Sequence, residues 1–168
     1  MVPRSSQTNK KEKNKKESKK EKRMTPILQG RENISKPCEP VLDIKEGELI
    51  AKQLFEVLNE HKNAIGLAAN QIGINKSVCV VRVKKPIWFM NPVFHPEGEE
   101  TIKFTEQCLS FVGETVKTRR FKKGYVTASN HDLEVKFGPW DVLECVCVQH
   151  EIEHLNGKTM YDSEVKNV

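Results

Sequence analysis

The motif QHEIEHLNG, residues 149–157, constrains this chain more than any other feature. His150 and His154 are four residues apart, so on a helix they share one face, with Cβ atoms about 5–6 Å apart. This HExxH spacing is typical of a helix that binds a metal ion. Glu151 is turned by about 100° around the helix axis, so it can reach water on a metal without being a ligand. The motif therefore predicts a metal centre with Glu151 as its general base.

Two histidines are one protein ligand short of the three that a catalytic zinc site usually has. The extended motif HExxHxxGxxH is excluded because Met160 occupies the position of its last histidine. No later helix that could offer Glu164 as a ligand is predicted. Cys108, in EQCLS (106–110), is the best upstream candidate because it lies among polar residues in a predicted loop. Its alternative role is that of a small buried hydrophobic residue.

The other cysteines are weaker candidates for the third ligand. Cys79 lies in a valine-rich predicted strand, and Cys145 faces away from His150, about 140° around the last helix at 100° per residue. Cys147 faces the histidines, but three ligands on one helix would close a tetrahedron only with strain. The five cysteines are odd in number and form no CxxC pair, which favours a reducing compartment.

The positive charge of the chain is concentrated at its amino-terminal end. Residues 1–23 hold ten Lys or Arg and three Glu, a net charge of +7, and residues 24–168 hold 18 basic and 20 acidic residues, a net charge of −2. The near-neutral remainder argues against specific DNA binding. No stretch approaches the roughly 20 apolar residues of a membrane span, and no secretory signal is evident.

Residues 1–23 are predicted to be a basic disordered tail because they offer almost nothing apolar to bury. The tail is either a solvated extension or a segment attracted to the ribosome. The opening MVPRS resembles the remnant of a protease cleavage site, so Met24 is a candidate natural start. Residues 24–168 are long enough for a single domain with one core.

Hydrophobic periodicity predicts helices near both ends of this domain, with strands between them. The first helix, residues 45–62, has an apolar face made of Leu49, Ile50, Leu54, Phe55 and Leu58. The last helix falls within residues 139–157, with Pro139 near its start and Gly157 just beyond its end. Strands are predicted at residues 77–83, 87–94, 114–120, 124–130 and 133–138. This order predicts an α+β domain with antiparallel strands.

Three motifs in this order resemble those of the peptide deformylase family: GLAANQIG (66–73), EQCLS (106–110) and QHEIEHLNG (149–157). The resemblance covers about residues 25–163 and implies antiparallel sheets that enclose a central HExxH helix. It implies removal of the N-formyl group from the formylmethionine of nascent peptides, with release of formate. It also implies the cytoplasm of a bacterial or phage-infected cell, or an organelle, as the location.

The resemblance assigns roles to individual residues. It implies Cys108, His150 and His154 as ligands of one divalent metal ion, Fe(II) first, with Zn, Ni or Co also accepted. Glu151 is then the general base, and Gln71 and the backbone N–H of Leu109 stabilise the oxyanion, where one donor is typically worth about 2.7–4 kcal/mol. The predicted substrate-binding residues are Ile65, Gly66, Glu106, Leu143, Val146 and Cys147.

Three departures from the family pattern stand out. Ala64 replaces a usual glycine, Gln107 replaces the glycine before the predicted ligand, and the chain lacks the long C-terminal helix of most bacterial members, as bacteriophage forms do. Two other functions remain as alternatives: a non-catalytic, metal-stabilised module that docks on the ribosome, and a zinc endopeptidase. Glu151 argues against the first, since a structural metal site needs no general base.

Overall fold

The computed structural model describes residues 23–166, which form two α-helices, eight β-strands and three short 3₁₀ turns. The helices are α1 (Ile44–Glu60) and α2 (Val142–Leu155). The strands are β1 (Gly66–Ala68), β2 (Val78–Arg82), β3 (Pro86–Met90), β4 (Val93–Pro96), β5 (Thr101–Glu106), β6 (Val116–Phe121), β7 (Gly124–Thr127) and β8 (Val135–Phe137). The prediction of an α+β fold with antiparallel strands is confirmed.

Helix α1 begins at its N-cap Asp43, whose carboxylate accepts a hydrogen bond from the Lys45 backbone N–H at 3.1 Å. Its buried stripe includes Ile50, Leu54 and Leu58, as predicted. The prediction for Leu49 is wrong, because this side chain is 66% exposed. The spacing of three and four residues that aligns the buried stripe turns the position before Ile50 towards solvent.

Three antiparallel sheets follow, in the orders β1–β2–β3, β4–β7–β8 and β5–β6. The single strand predicted at residues 87–94 is in fact two, β3 and β4. The chain breaks at Asn91, which adopts a positive φ of 51° and whose side-chain amide exchanges hydrogen bonds with the backbone of Val41 at 2.7 and 2.8 Å. Strands β1 and β5 were not predicted, and β5 leads directly to Cys108.

Helix α2 contacts strands of all three sheets, among them β2, β6 and β8. Its N-cap Asp141 accepts a hydrogen bond from the Glu144 N–H at 3.0 Å, and Gly157, with φ 76°, follows its last turn as predicted. Val148, Ile152 and Leu155 pack in one core cluster with residues of β2 and β3. Polar groups on this helix are therefore removed from water and need partners within the protein.

The predicted basic tail falls outside the described residues except for Arg23. In the part that the structure describes, neither helix has the length and apolarity to cross a bilayer.

Candidate active site

The predicted metal ligands converge at one point. His150 and His154 project from the same face of α2, and Cys108 lies in the loop after β5. His154 Nε2 is 3.0 Å from His150 Nε2 and 3.3 Å from Cys108 Sγ, and the three side chains are at most 9% exposed. Metal bonds of about 2.1 Å to nitrogen and about 2.3 Å to sulfur place tetrahedral ligands about 3.3–3.6 Å apart. The three donors therefore fit a divalent transition metal with one position open.

Glu151 lies beside these ligands and is 5% exposed. Its Oε2 has no hydrogen-bond partner within residues 23–166. Burial raises the pKa of Glu151 to about 7, the neighbouring Glu106 adds to this, and His150 opposes it. A buried carboxyl group with this pKa can take and return a proton near neutral pH.

Gly66 allows the close approach of β1 to Glu151. A Cβ atom at this position would lie 2.6 Å from Glu151 Oε1 and 2.8 Å from Cys147 Sγ, closer than such atoms can come. The glycine of the first motif therefore leaves the space in which the Glu151 carboxylate sits.

Glu106 was predicted to bind substrate, and it does line the cavity beside the metal ligands. Its carboxylate, however, accepts hydrogen bonds from Arg120 Nε at 2.6 Å, Arg120 Nη2 at 2.9 Å and Thr118 Oγ1 at 2.6 Å. Glu106 Oε2 is also 2.7 Å from His150 Nδ1, which leaves Nε2 of that ring facing the other ligands. We therefore propose that Glu106 orients His150 rather than contacting substrate.

The environment of Glu106 is opposite to that of Glu151. Burial alone would raise the pKa of Glu106, but hydrogen bonds and charge from Arg120 and His150 outweigh it and lower the pKa to about 2. Sequence reasoning missed Arg120, Thr118 and their contacts. The only available signal was the alternation of β6, in which Val116, Thr118 and Arg120 point inward and their neighbours outward.

Gln71 is 2% exposed and reaches the sulfur of Cys108. Its Nε2 is 3.5 Å from Cys108 Sγ and donates to Ser110 Oγ at 3.1 Å, while its Oε1 accepts from the Ala68 N–H at 3.0 Å. The Leu109 N–H makes no hydrogen bond with any of residues 23–166. Both predicted oxyanion donors thus lie in or beside the segment that carries Cys108, and Ser110 is a partner that sequence reasoning missed.

A cavity of about 650 Å³ opens in front of this cluster. The predicted lining residues all border it: Ile65, Gly66, Glu106, Leu143, Val146 and Cys147. Val146 is 3% exposed and Leu143 is 41% exposed, so Leu143 lies nearer the mouth. Phe104 and Val112 also line the cavity and were not predicted. Its volume suits a small ligand or the end of a peptide.

The two departures within the motifs lie at the same cavity. Gln107 is exposed, and Ala64 borders the cavity with a partly exposed side chain. Cys145 points away from the ligands, as predicted, with its sulfur 3.5 Å from the Phe121 carbonyl oxygen. Cys147 lines the cavity, and burial raises the pKa of its thiol well above its usual value, so it remains protonated.

Comparisons with known proteins agree with this geometry. The sequence profile described as polypeptide deformylase matches residues 24–167. A peptide deformylase of Aquifex aeolicus is 35% identical over 144 residues, which cover 81% of this chain and 84% of the relative. The Thermotoga maritima peptide deformylase structure has a TM-score of 0.76 at 26% identity, covering 86% of this chain and 100% of that one.

A bacteriophage structure is similar as well. The PDF of the Vibrio parahaemolyticus bacteriophage VP16T, solved with actinonin, matches with a TM-score of 0.69 at 27% identity, and the match covers 80% of this chain and 98% of the phage chain. Cys108, His150 and His154 come together in a fold shared with these proteins. The chain therefore belongs to the polypeptide deformylase family, the metal-dependent hydrolases that remove the formyl group from nascent formylated peptides.

Proposed function

We propose that Glu151 is the general base with which this chain deformylates peptides. The observation that carries the proposal is its carboxylate, which is buried beside the three predicted metal ligands and has one oxygen that accepts no hydrogen bond from any of residues 23–166. Its pKa of about 7 suits a group that takes a proton from the attacking water and passes it to the leaving amine nitrogen.

We propose Cys108, His150 and His154 as the ligands of one divalent metal. When bound, such an ion supplies Lewis-acid chemistry and lowers the pKa of water from 15.7 towards about 7. Glu106 keeps the Nδ1 proton of His150 directed away from the centre, so that Nε2 presents its lone pair. Cys108 contributes a thiolate, which suits a soft or borderline transition metal better than a magnesium-like ion.

Gln71 and Leu109 are proposed to stabilise the negative oxygen that forms at the formyl carbon. Gln71 Nε2 donates one hydrogen to Ser110 Oγ and lies 3.5 Å from Cys108 Sγ. The contact with sulfur is weak, so an oxyanion beside the sulfur can replace it. The Leu109 backbone N–H adjoins the same sulfur-bearing residue. Each donor is typically worth about 2.7–4 kcal/mol in the transition state.

The apolar part of the cavity is proposed to hold the methionine side chain of the substrate. Val146 and Cys147 are buried on the helix face that carries His150, and Ile65 and Gly66 border the same cavity. An extended peptide placed along Ile65 and Gly66 would present its formyl group to Glu151.

The decisive assay is formate release from formyl-Met-Ala-Ser, with Met-Ala-Ser and a long unformylated peptide as controls. We expect formate from the first peptide and no cleavage of the others. Cleavage of internal bonds in the long peptide would identify an endopeptidase instead. Metal retained without formate release would favour a non-catalytic module.

We propose Fe(II) as the working metal, on the strength of the thiolate ligand and the family resemblance. A thiolate beside Fe(II) exposes both metal and sulfur to oxygen, and the sulfur can progress to sulfinic acid. The iron form should therefore lose activity in air faster than the nickel form, with oxygen added to the Cys108 peptide in mass spectra. Equal half-lives and an unmodified peptide would favour zinc or another metal inert to oxygen.

We propose that residues 24–168 form a single catalytic domain and that residues 1–23 contact the ribosome, with the bacterial cytoplasm as the place of action. The net charge of +7 on residues 1–23 supports attraction to ribosomal RNA phosphates. Deletion of residues 1–23 should leave tripeptide kinetics unchanged and reduce cosedimentation with ribosomes at low salt. Unchanged cosedimentation would remove the proposed role of the tail.

A further inference from the structure

The segment that follows α2 packs along β6 and contacts Arg120. Glu164 forms a β-bridge with Thr118, and the Val165 N–H donates to the Lys117 carbonyl oxygen at 2.8 Å. These contacts fix residues 160–165 along β6, whose Arg120 points inward and is 2% exposed. They bring the hydroxyl group of Ser163 to the guanidinium of Arg120.

Ser163 connects the buried guanidinium of Arg120 with the partly exposed carboxylate of Glu153. Its Oγ accepts a hydrogen bond from Arg120 Nη1 at 3.2 Å and donates one to Glu153 Oε1 at 2.8 Å. Glu153 Oε2 is 2.7 Å from Arg120 Nη1, an ion-pair contact whose direction does not meet hydrogen-bond geometry. The Ser163 hydroxyl therefore gives the Glu153 carboxylate a hydrogen-bond donor in addition to the Arg120 guanidinium.

Arg120 is shared between two carboxylates. Its Nε and Nη2 form a bidentate pair with Glu106, which in turn binds His150 Nδ1, while Nη1 faces Glu153. If Glu153 had no other donor, its carboxylate would compete with Glu106 for the guanidinium hydrogens. The hydrogen bond from Ser163 satisfies one oxygen of Glu153. The Nε and Nη2 hydrogens of Arg120 then remain bonded to Glu106.

We propose that Ser163 is a positioning residue for the metal ligand His150, acting through Arg120 and Glu106. The inference rests on the proposed metal-dependent function, because it concerns the same three ligands. Ser163 itself touches neither metal nor substrate. Its effect should be smaller than the roughly 10–100-fold loss of metal affinity that follows removal of a group bonded directly to a ligand.

The test is Co(II) titration of the full-length protein, followed by visible absorption and by competition with a chelating dye. Ser163→Ala should weaken Co(II) binding by about three- to tenfold and alter the ligand-field bands, because His150 is held less firmly. Ser163→Thr, which retains the hydroxyl group, should match the wild type. Ser129→Ala, an exposed serine elsewhere, is the matched control and should also match it.

A double-mutant cycle with Glu153→Gln separates positioning from general loosening of the segment. If Ser163 acts by satisfying the Glu153 charge, Ser163→Ala should change Co(II) affinity less than twofold in the Glu153→Gln background. The same loss in both backgrounds would overturn the proposal, as would wild-type affinity and spectrum in Ser163→Ala alone. These readouts need no substrate, so a protein that binds Co(II) as expected but releases no formate would reject deformylation and leave the role of Ser163 standing.

Discussion

Two glutamates next to His150 have the same exposure but opposite shifts in pKa. Glu106 and Glu151 are each 5% exposed. Glu106 is held by Arg120 and Thr118, and its pKa falls to about 2. Among the described residues, Glu151 Oε2 has no hydrogen-bond partner, and the pKa of Glu151 rises to about 7. The difference shows that hydrogen-bond and charge partners decide whether the pKa of a carboxyl group at this burial is lowered or raised.

Replacement of Cys108 by serine should have the largest effect on the metal centre. A hydroxyl is a poorer ligand than a thiolate for a transition metal, so metal affinity should fall by more than about 100-fold. Metal content after dialysis against a chelator measures this loss. Cys145→Ser, at a thiol that points away from the ligands, is the control, and wild-type metal content in Cys108→Ser would reassign the third ligand to Cys147 or an external group.

Glu106→Gln should reduce both the stability of the protein and its metal affinity. It leaves the Arg120 guanidinium without its bidentate partner, which should cost about 3–5 kcal/mol in the free energy of unfolding and about 10–100-fold in metal affinity. Urea unfolding of the metal-free protein and metal titration measure the two effects. A variant as stable as the wild type would show that the ion pair contributes nothing.

The same variant should change the response to acid. The folded-state pKa of Glu106, about 2, lies below its ordinary value of 4.5, so its contribution to stability is present above about pH 4.5 and is lost as the pH falls towards 2. Stability measured between these pH values should therefore vary less in Glu106→Gln than in the wild type.

Gly66→Ala should impair Glu151 and leave the metal ligands in place. The added methyl group would displace the Glu151 carboxylate and the Cys147 side chain, which should lower kcat/KM by about 10–100-fold while metal binding persists. Gly47→Ala is the control. Its added Cβ would contact Met90, which is not part of the metal site. That control should lose stability and keep its kcat/KM. Equal losses of kcat/KM in both variants would point to a general packing defect.

Gln107→Gly should have the smallest effect. Gln107 stands between Glu106 and Cys108 in sequence, yet its side chain is exposed, so removal should change formate release by less than about threefold and stability by about 0.5–1 kcal/mol through backbone entropy. A large loss would show that its side chain contacts the substrate at the rim of the cavity. The EQCLS motif would then contribute a substrate-binding residue in addition to Glu106 and Cys108.

Local spacing was enough to predict the histidine face of α2 and Glu151 beside it, since helical geometry fixes side chains three and four residues apart. Cys108 was chosen as the third ligand because the other cysteines are poorly placed, and the family motifs then implied the same residue. Arg120 could not be found this way, because its pairing with Glu106 depends on the register of β5 and β6. The break at Asn91 also depends on tertiary packing, through its hydrogen bonds to Val41, which propensity does not encode.

The most direct test of the division between the two glutamates is formate release per mole of bound metal in Glu151→Gln. We predict that this variant binds metal with the wild-type stoichiometry and loses about 10²–10⁴-fold in turnover, because the change removes the base and no ligand. Glu48→Gln, on the exposed side of α1, is the control and should match the wild type. Wild-type turnover in the metal-loaded Glu151→Gln protein would contradict the assignment of Glu151 as the general base.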